Sequence, residues 1–176
     1  MRLRPALSTD FGFIRSVAGR AEYAPFITDE DEAALSAYLT NPAARLLIWQ
    51  DDHGPRGFAV DAVPQDGAAV VELRRLALDQ AGRGEGAGFL RAMIGYAFQD
   101  LAAQRLWLDA SGENARAQAA YLRAGFVLEG RLRQHWYRPA LGRVVDLMIY
   151  GMMRNEWQAR GGLASCSPPP PSLHLP

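Results

Sequence analysis

The sequence predicts an α/β fold in which a mixed, mostly antiparallel sheet is flanked by helices. Three apolar, strand-like runs in the first half of the chain are separated by short turns: residues 45–50, 56–63 and 68–78. Connections this short are typical of an antiparallel meander. One strand–helix–strand unit follows, with a helix from Phe89 and a strand from Arg105 to Asp109. Two further runs, 126–138 and 143–153, predict a closing hairpin.

The remaining elements are predicted from caps and periodicity. Residues 3–6 predict a short strand, and residues 8–10 cap a first helix. Thr28 predicts the cap of a second helix that extends to about Leu39. The helix from Phe89 has apolar residues with a period near 3.6, so one face is expected to pack on the sheet. A further helix is predicted over residues 114–124.

Length and composition limit the possible functions. The 176 residues suffice for one domain, expected over 1–160, while the proline-rich segment 161–176 is expected to be extended or disordered. Nineteen basic and 19 acidic residues give a formal charge of zero, so we expect no nucleic-acid or membrane partner. Cys166 is the only cysteine, and the sequence shows no apolar signal segment or membrane-spanning run. These features predict a cytoplasmic protein.

A phosphate-binding loop is predicted between the third strand and the following helix. Glycine occupies every second position from Gly82 to Gly88. Glycines there permit close approach of a ligand, and a helix start offers unpaired N–H groups to an anion. The loop of nucleotide triphosphatases is excluded, because the required Gly-Lys-Ser/Thr does not occur.

Two other loop patterns fit this segment. A dinucleotide fingerprint is met by Gly82, Gly84 and Ala87, with Asp109 as the acid that would bind the ribose. That NAD(P)-binding hypothesis requires repeated strand–helix–strand units on a parallel sheet, whereas this sequence predicts one such unit. The second pattern, Arg-x-x-Gly-x-Gly/Ala, is met by Arg83, Gly86 and Gly88.

The second pattern resembles the pyrophosphate loop of the GNAT family of N-acetyltransferases. A second signature of that family is similar to Asn114, followed seven residues later by Tyr121 and then by Gly125-Phe126. Residues 128–133 and 142–157 resemble the branch that contains ribosomal-protein N-terminal acetyltransferases and polyamine acetyltransferases. The resemblance implies the GNAT fold, in which a splayed central strand pair holds acetyl-CoA.

The same resemblance implies which residues hold acetyl-CoA. The loop is expected to bind the pyrophosphate through Arg83, Gly84, Glu85, Gly86, Ala87 and Gly88. Glu85 departs from the family pattern, and we expect its side chain to point to solvent. The pantetheine arm is expected to receive backbone hydrogen bonds from Leu76, Ala77 and Leu78 and a side-chain bond from Asn114. Arg123 is expected to reach the CoA phosphates.

Two residues are candidates for catalysis. By resemblance Tyr121 protonates the departing sulfur, although its ordinary pKa favours a hydrogen bond alone. The alternative is that Tyr121 only packs in the core and has no catalytic role. Glu72 interrupts the apolar run of its strand, and simple alternation places it on one face with Arg74, Leu76 and Leu78. The resemblance implies that Glu72 is a general base. The alternative is that Glu72 only forms an ion pair with Arg74 or Arg75.

The acceptor site is expected, by resemblance, between the first two helices and the last hairpin. The candidates for substrate binding are Tyr23, Phe26, Glu30, His135 and Tyr137. Glu30 belongs to the acidic run 29–32, which suits either a cationic substrate or a helix N-terminus. His135 is an alternative base or a surface residue.

The resemblance implies an N-acetyltransferase that moves an acetyl group from acetyl-CoA to a primary amine by direct attack, without an acyl-enzyme. The amine is a small molecule or a protein N-terminus, and the sequence leaves its identity open. No metal is expected, and a homodimer is possible. A non-catalytic acyl-CoA-binding module is the alternative from a different functional class, because it needs the glycine loop and neither Glu72 nor Tyr121.

Overall fold

The computed structural model describes residues 1–80, 82 and 84–162, and within them the chain forms seven strands and five α-helices. The strands are β1 (Arg2–Pro5), β2 (Ala44–Asp51), β3 (Gly54–Ala62), β4 (Val70–Leu78), β5 (Arg105–Ser111), β6 (Val127–Arg138) and β7 (Arg143–Met153). The helices are α1 (Phe11–Ala18), α2 (Glu32–Thr40), α3 (Glu85–Gly95), α4 (Ala115–Ala124) and α5 (Arg154–Ala159). Arg83 of the predicted loop and residues 163–176 of the predicted tail lie outside the described residues.

The strands form one sheet in the order β1-β2-β3-β4-β5-β7-β6. Every neighbouring pair is antiparallel except the central pair, β4 and β5. The predicted fold class, a mixed and mostly antiparallel sheet flanked by helices, is therefore confirmed. The dinucleotide hypothesis is wrong, because a doubly wound fold needs successive parallel strands and the described strands contain one parallel pair.

Helices cover both faces of this sheet. On one face α1 buries its apolar side against β3 and β4, through Phe11, Ile14, Val17 and Ala18. On the other face α3 buries Phe89, Leu90, Met93 and Ile94. The ring of Trp49 stacks on Phe89 with 5.3 Å between the centroids. Each large apolar side chain buried in this way stabilises the fold by about 1.5–3 kcal/mol.

The central strands separate along their length. β4 and β5 pair at three positions: Val70 with Arg105, Val71 with Leu106, and Glu72 with Trp107. Both strands continue beyond Glu72 without pairing with each other, so the splayed pair expected from the family resemblance is present. The Asp79 N–H donates to the Arg56 carbonyl on the β3 side, at 2.7 Å. Because alternate residues of a strand point to opposite edges, Leu76 and Leu78 direct their N–H and C=O groups into the gap.

A β-bulge in β4 changes the face on which Glu72 lies. Val60 pairs with Arg75 and Asp61 pairs with Leu73, so Arg74 is an extra residue in the strand. Leu73, before the bulge, and Leu78, after it, both pack in the core beneath α3. The predicted common face of Glu72, Leu76 and Leu78 is therefore wrong, and Glu72 faces the side covered by α1 and α2.

Several element boundaries differ from the predicted ones. α3 begins at Glu85 and not at Phe89, so Gly86 and Gly88 of the predicted loop lie within the helix. α2 is capped by Asp31, whose Oδ1 accepts from the Ala34 N–H at 2.8 Å, and not by Thr28. A π-helical turn, Tyr96–Asp100, follows α3, and α5 was not predicted.

Candidate functional site

A cleft of about 990 Å³ opens where β4 and β5 separate. Its walls come from both strands, the start of α3, α4, the link between α1 and α2, and the β6–β7 hairpin. Eleven of the predicted site residues line it: Tyr23, Phe26, Glu30, Glu72, Leu76, Ala77, Leu78, Gly86, Asn114, Tyr121 and His135. Residues that were predicted from separate parts of the chain therefore meet in one cleft.

Other predicted residues do not line this cleft. Arg123 is exposed on α4, and the cleft is lined instead by Arg116 near the start of that helix. Tyr137 is 59% exposed and lies outside. A register shift in β6 between Leu132 and Trp136 brings Trp136 to the cleft in its place. Gly84, Glu85, Ala87 and Gly88 belong to the start of α3 but, unlike Gly86, are not in the cleft wall.

The start of α3 suits a diphosphate. Gly84 is the N-cap with φ +85°, a conformation that favours glycine, and an added Cβ there would meet no atom within 4 Å. At Gly86 an added Cβ would meet only Leu78, at 3.7 Å. The first N–H groups of α3 have no partner within the helix, and the helix dipole favours an anion. Glu85 is half-buried with its charge near Arg56 on β3, so it does not simply point to solvent as expected.

The free edge of β4 already has one side-chain partner. The Tyr23 hydroxyl donates to the Leu78 carbonyl oxygen at 2.6 Å. Next to this bond, Arg20 forms an ion pair with Asp79. Tyr23 was predicted to bind the acceptor, and the structure places its hydroxyl on a backbone group that was predicted to bind pantetheine.

Asn114 and Tyr121 lie on the side of α4 that lines the cleft. Asn114 caps α4, since its Oδ1 accepts from the Ala117 N–H at 3.0 Å. No hydrogen bond from its side-chain NH₂ occurs among the described residues, so that donor suits a ligand. Tyr121 is half-buried, and its ring contacts the edges of Phe126 and Tyr150. Burial, and then the charge of Asp109, raises the pKa of Tyr121, so the hydroxyl keeps its proton.

Two carboxylates lie near the point where β4 and β5 separate. Arg74 Nε donates to Glu72 Oε2 at 3.1 Å, so the ion pair considered as an alternative role of Glu72 is present. Asp109 lies on β5, two residues beyond the partner of Glu72, and also lines the cleft. Burial, and then the charge of Glu72, raises the pKa of Asp109, while His135 opposes this effect.

The cleft wall formed by the α1–α2 link and the β6–β7 hairpin is held by contacts that are distant in sequence. Arg138 is buried and donates to the carbonyls of Ala24, Pro25 and Ile27, at 2.6, 2.9 and 3.2 Å respectively. Its guanidinium also lies 3.9 Å from the centroid of the Trp136 ring. The last hairpin thereby fixes the link between α1 and α2.

Three carboxylates of the acidic run 29–32 have different partners. Asp31 caps α2, and Asp29 pairs with Arg15 at 3.5 Å. Glu30 lines the cleft and pairs with Arg75 at 2.5 Å. Over the whole cleft, five acidic side chains face three arginines, so the lining is moderately acidic: Glu22, Glu30, Glu72, Asp109 and Glu113 against Arg74, Arg75 and Arg116.

Sequence reasoning missed several charged residues of this cleft, among them Glu22, Asp109, Glu113 and Arg116. Asp109 had a detectable signal, because strand alternation places it opposite the buried Leu106 and Leu108. Among the described residues there is no group of three or more acidic, histidine or cysteine side chains that suits a metal ion. Within the same residues no helix has the length and apolar character needed to cross a membrane.

Comparison with known proteins decides the family. The sequence profile described as the Acetyltransferase (GNAT) family matches residues 10–126. The chain belongs to this family. The match confirms the predicted family and fold, and acetyl-CoA is the acetyl donor that GNAT acetyltransferases use.

One curated relative and several solved structures are similar to this chain. The chain is 32% identical over 78 residues to "Putative ribosomal N-acetyltransferase YdaF" of Bacillus subtilis (strain 168), and the match spans 42% of each chain. A spermidine N-acetyltransferase from Vibrio cholerae, solved in complex with CoA and spermine, is similar with a TM-score of 0.80 and 18% identity, over 89% of this chain and 96% of that one. A dodecameric structure of a spermidine N-acetyltransferase from the same organism is similar with a TM-score of 0.75 and 20% identity, over 90% of this chain and 96% of that one.

Proposed function

We propose that this protein transfers the acetyl group of acetyl-CoA to a primary amine that carries a second positive charge, with polyamines as the acceptor class. The moderately acidic lining of the cleft supports this most directly. Glu22 and Asp109 have no ion-pair partner among the described residues, so both are available to a cation. The proposal places the reaction in the cytoplasm, because the lone Cys166 suits a reducing compartment.

Acetyl-CoA fits the observed cleft. The first turn of α3 offers N–H groups to the diphosphate, and Gly86 leaves room beside them. Leu76 and Leu78 offer backbone groups to the pantetheine amides, and the Asn114 NH₂ can donate to one of them. When bound, acetyl-CoA supplies an acetyl group that is activated as a thioester.

Tyr121 is proposed to stabilise the departing sulfur with a hydrogen bond. The pKa of Tyr121 is raised, so full transfer of its proton to the thiolate is even less favourable than the ordinary difference in pKa between a tyrosine and a thiol would make it. A hydrogen bond needs no such transfer. The hydroxyl therefore acts as a fixed donor, and its effect does not depend on pH within the neutral range.

The test of the function is an acceptor panel in which release of free CoA is measured. Spermidine, a monoamine of similar length, and peptides with ribosomal-protein N-termini separate the candidate classes. Spermidine is expected to exceed the monoamine in kcat/KM by at least about tenfold, which one further attraction of about 1.4 kcal/mol produces. A preference for the peptides would instead support N-terminal acetylation, the activity named for the Bacillus relative.

Tyr121→Phe separates an enzyme from a binding module. We expect kcat to fall by about 100-fold, the low end for catalysis by a hydrogen-bonding or proton-transferring side chain. The affinity for CoA stays the same. The ratio of the wild-type kcat to the variant kcat stays constant from pH 6.5 to about 9, because Tyr121 remains protonated. An unchanged kcat would reduce Tyr121 to a packing residue, and no turnover with any amine would favour the acyl-CoA-binding module.

Self-association is also proposed, since one structural neighbour is dodecameric. Apolar side chains are exposed on the terminal strand β6: Val127, Leu128 and Leu132. Sedimentation analysis measures the assembly and tells a homodimer from a larger oligomer.

A further inference from the structure

Glu72 and Asp109 both border the proposed acceptor position, but their surroundings differ. Glu72 Oε2 is bonded by the Arg74 guanidinium, which partly neutralises the carboxylate. Asp109 accepts no hydrogen bond and forms no ion pair within the described part of the chain. It is half-buried in the cleft wall, where a substrate amine can approach it.

The charged and titratable groups around Asp109 come from three elements. Glu72 faces it from β4, His135 from β6, and Tyr121 from α4. The β7 residue paired with Asp109 is Ile149, which carries no charge. Burial and the negative charge of Glu72 raise the pKa of Asp109, and His135 lowers it. A carboxylate with a raised pKa is a better match for an ammonium, because each unit of pKa difference costs about 1.4 kcal/mol in the transfer.

We propose that Asp109 is the general base of the reaction and that Glu72, held by Arg74, acts on Asp109 rather than on the substrate. This inference rests on the proposed amine acetylation. One ammonium proton moves to a carboxylate oxygen of Asp109, which leaves a lone pair on the nitrogen. The nitrogen forms the C–N bond to the acetyl carbon while the C–S bond breaks and its electron pair goes to sulfur. The nitrogen releases a second proton to the thiolate or water, and Asp109 returns its proton to water.

The first experiment compares pH–rate profiles of the wild type, Asp109→Asn and Glu72→Gln. Wild-type kcat/KM is expected to rise with pH as Asp109 ionises. Asp109→Asn should lose about 100-fold at pH 7, the low end for a general base, and recover at high pH, where free amine is abundant. Glu72→Gln should keep the rise and move it to lower pH, because the charge that raises the Asp109 pKa is removed.

Asp61→Asn is the matched control. Asp61 is also a buried aspartate, 1% exposed, and burial raises its pKa to about 8. It does not line the cleft. The control should therefore leave the rate and its pH dependence unchanged.

The second experiment measures Asp109 without turnover. The carboxyl ¹³C signal that Asp109→Asn removes is followed during a pH titration of the free protein. Its midpoint should lie above the usual aspartate value near 3.9 and move down in Glu72→Gln. An ordinary midpoint, or one unaffected by Glu72→Gln, overturns the coupling between the two carboxylates.

The kinetic outcomes are equally decisive. If Glu72→Gln loses about 100-fold in rate at pH 7 and Asp109→Asn does not, Glu72 is the base and the proposal is wrong. If Asp109→Asn has the wild-type rate at pH 7, Asp109 is not a catalytic residue. Absence of turnover in the wild type with every amine refutes the proposed function, and with it the role of Asp109 as a base, while the titration still decides whether Glu72 and Asp109 are coupled.

Discussion

The proposed donor and acceptor sides of the cleft are built in different ways. On the donor side, the proposed contacts are mainly backbone groups close in sequence, from the end of β4 and the start of α3. On the acceptor side, the wall depends on side chains that are far apart in sequence. Arg138, for example, bonds the Ala24 carbonyl across 114 positions. The donor side is therefore sensitive to the local shape of the chain, and the acceptor side to long-range contacts.

The largest expected effect is on the donor side. Gly86→Val should weaken CoA binding by about 10- to 100-fold or more, which is the loss of one hydrogen bond of 1.5–3 kcal/mol to a charged group. The added side chain would fill the space beside the first N–H groups of α3. Calorimetric titration with CoA measures the effect, and the acceptor KM at saturating donor should change little.

Gly12→Val is the control for that variant. Gly12 is the second residue of α1, as Gly86 is of α3, and an added Cβ at Gly12 meets no atom within 4 Å. The two substitutions therefore have a similar cost in helix propensity. Equal CoA affinity in the wild type and both variants would disprove the assignment of the α3 start to the donor.

An intermediate effect is expected on the acceptor side. Arg138→Met removes the donor that three carbonyls of the α1–α2 link share. The acceptor KM should rise by about tenfold, equivalent to 1.4 kcal/mol, while CoA affinity is retained. Arg131→Met, at an arginine on the same strand whose side chain is 62% exposed, should change neither value. A parallel loss of CoA affinity in Arg138→Met would mean that the two sides are not independent.

The smallest effect concerns the contact that joins the two sides. Tyr23→Phe frees the Leu78 carbonyl while the ring stays, so CoA should bind about two- to tenfold more tightly, the net value of a neutral hydrogen bond of 0.5–1.5 kcal/mol. Tyr38→Phe is the control, because the Tyr38 hydroxyl bonds Glu30 and Arg75. Weaker CoA binding by Tyr23→Phe would show that this hydroxyl contacts the donor instead of competing with it.

The same division explains which predictions the sequence supported. Gly86, Asn114 and Tyr121, which were predicted for the site and line the cleft, each belong to a motif that lies within one turn or helix. Tyr137 was predicted for the cleft but lies outside it, since the shift in β6 is decided by pairing with β7. The predicted face of Glu72 was also wrong, because no local residue pattern indicates the bulge at Arg74.

The sequence by itself determined the order of the seven strands and the first four α-helices, the glycine-rich junction before Phe89, and the amphipathic faces that form the core. These features depend on periodicity and backbone preference, which act over a few neighbouring residues. Only the tertiary structure decided where β4 and β5 separate, that Tyr23 bonds Leu78, and that Asp109 lies in the cleft with Glu72. Each of these contacts joins residues distant in sequence, so its geometry depends on how the whole sheet twists and packs.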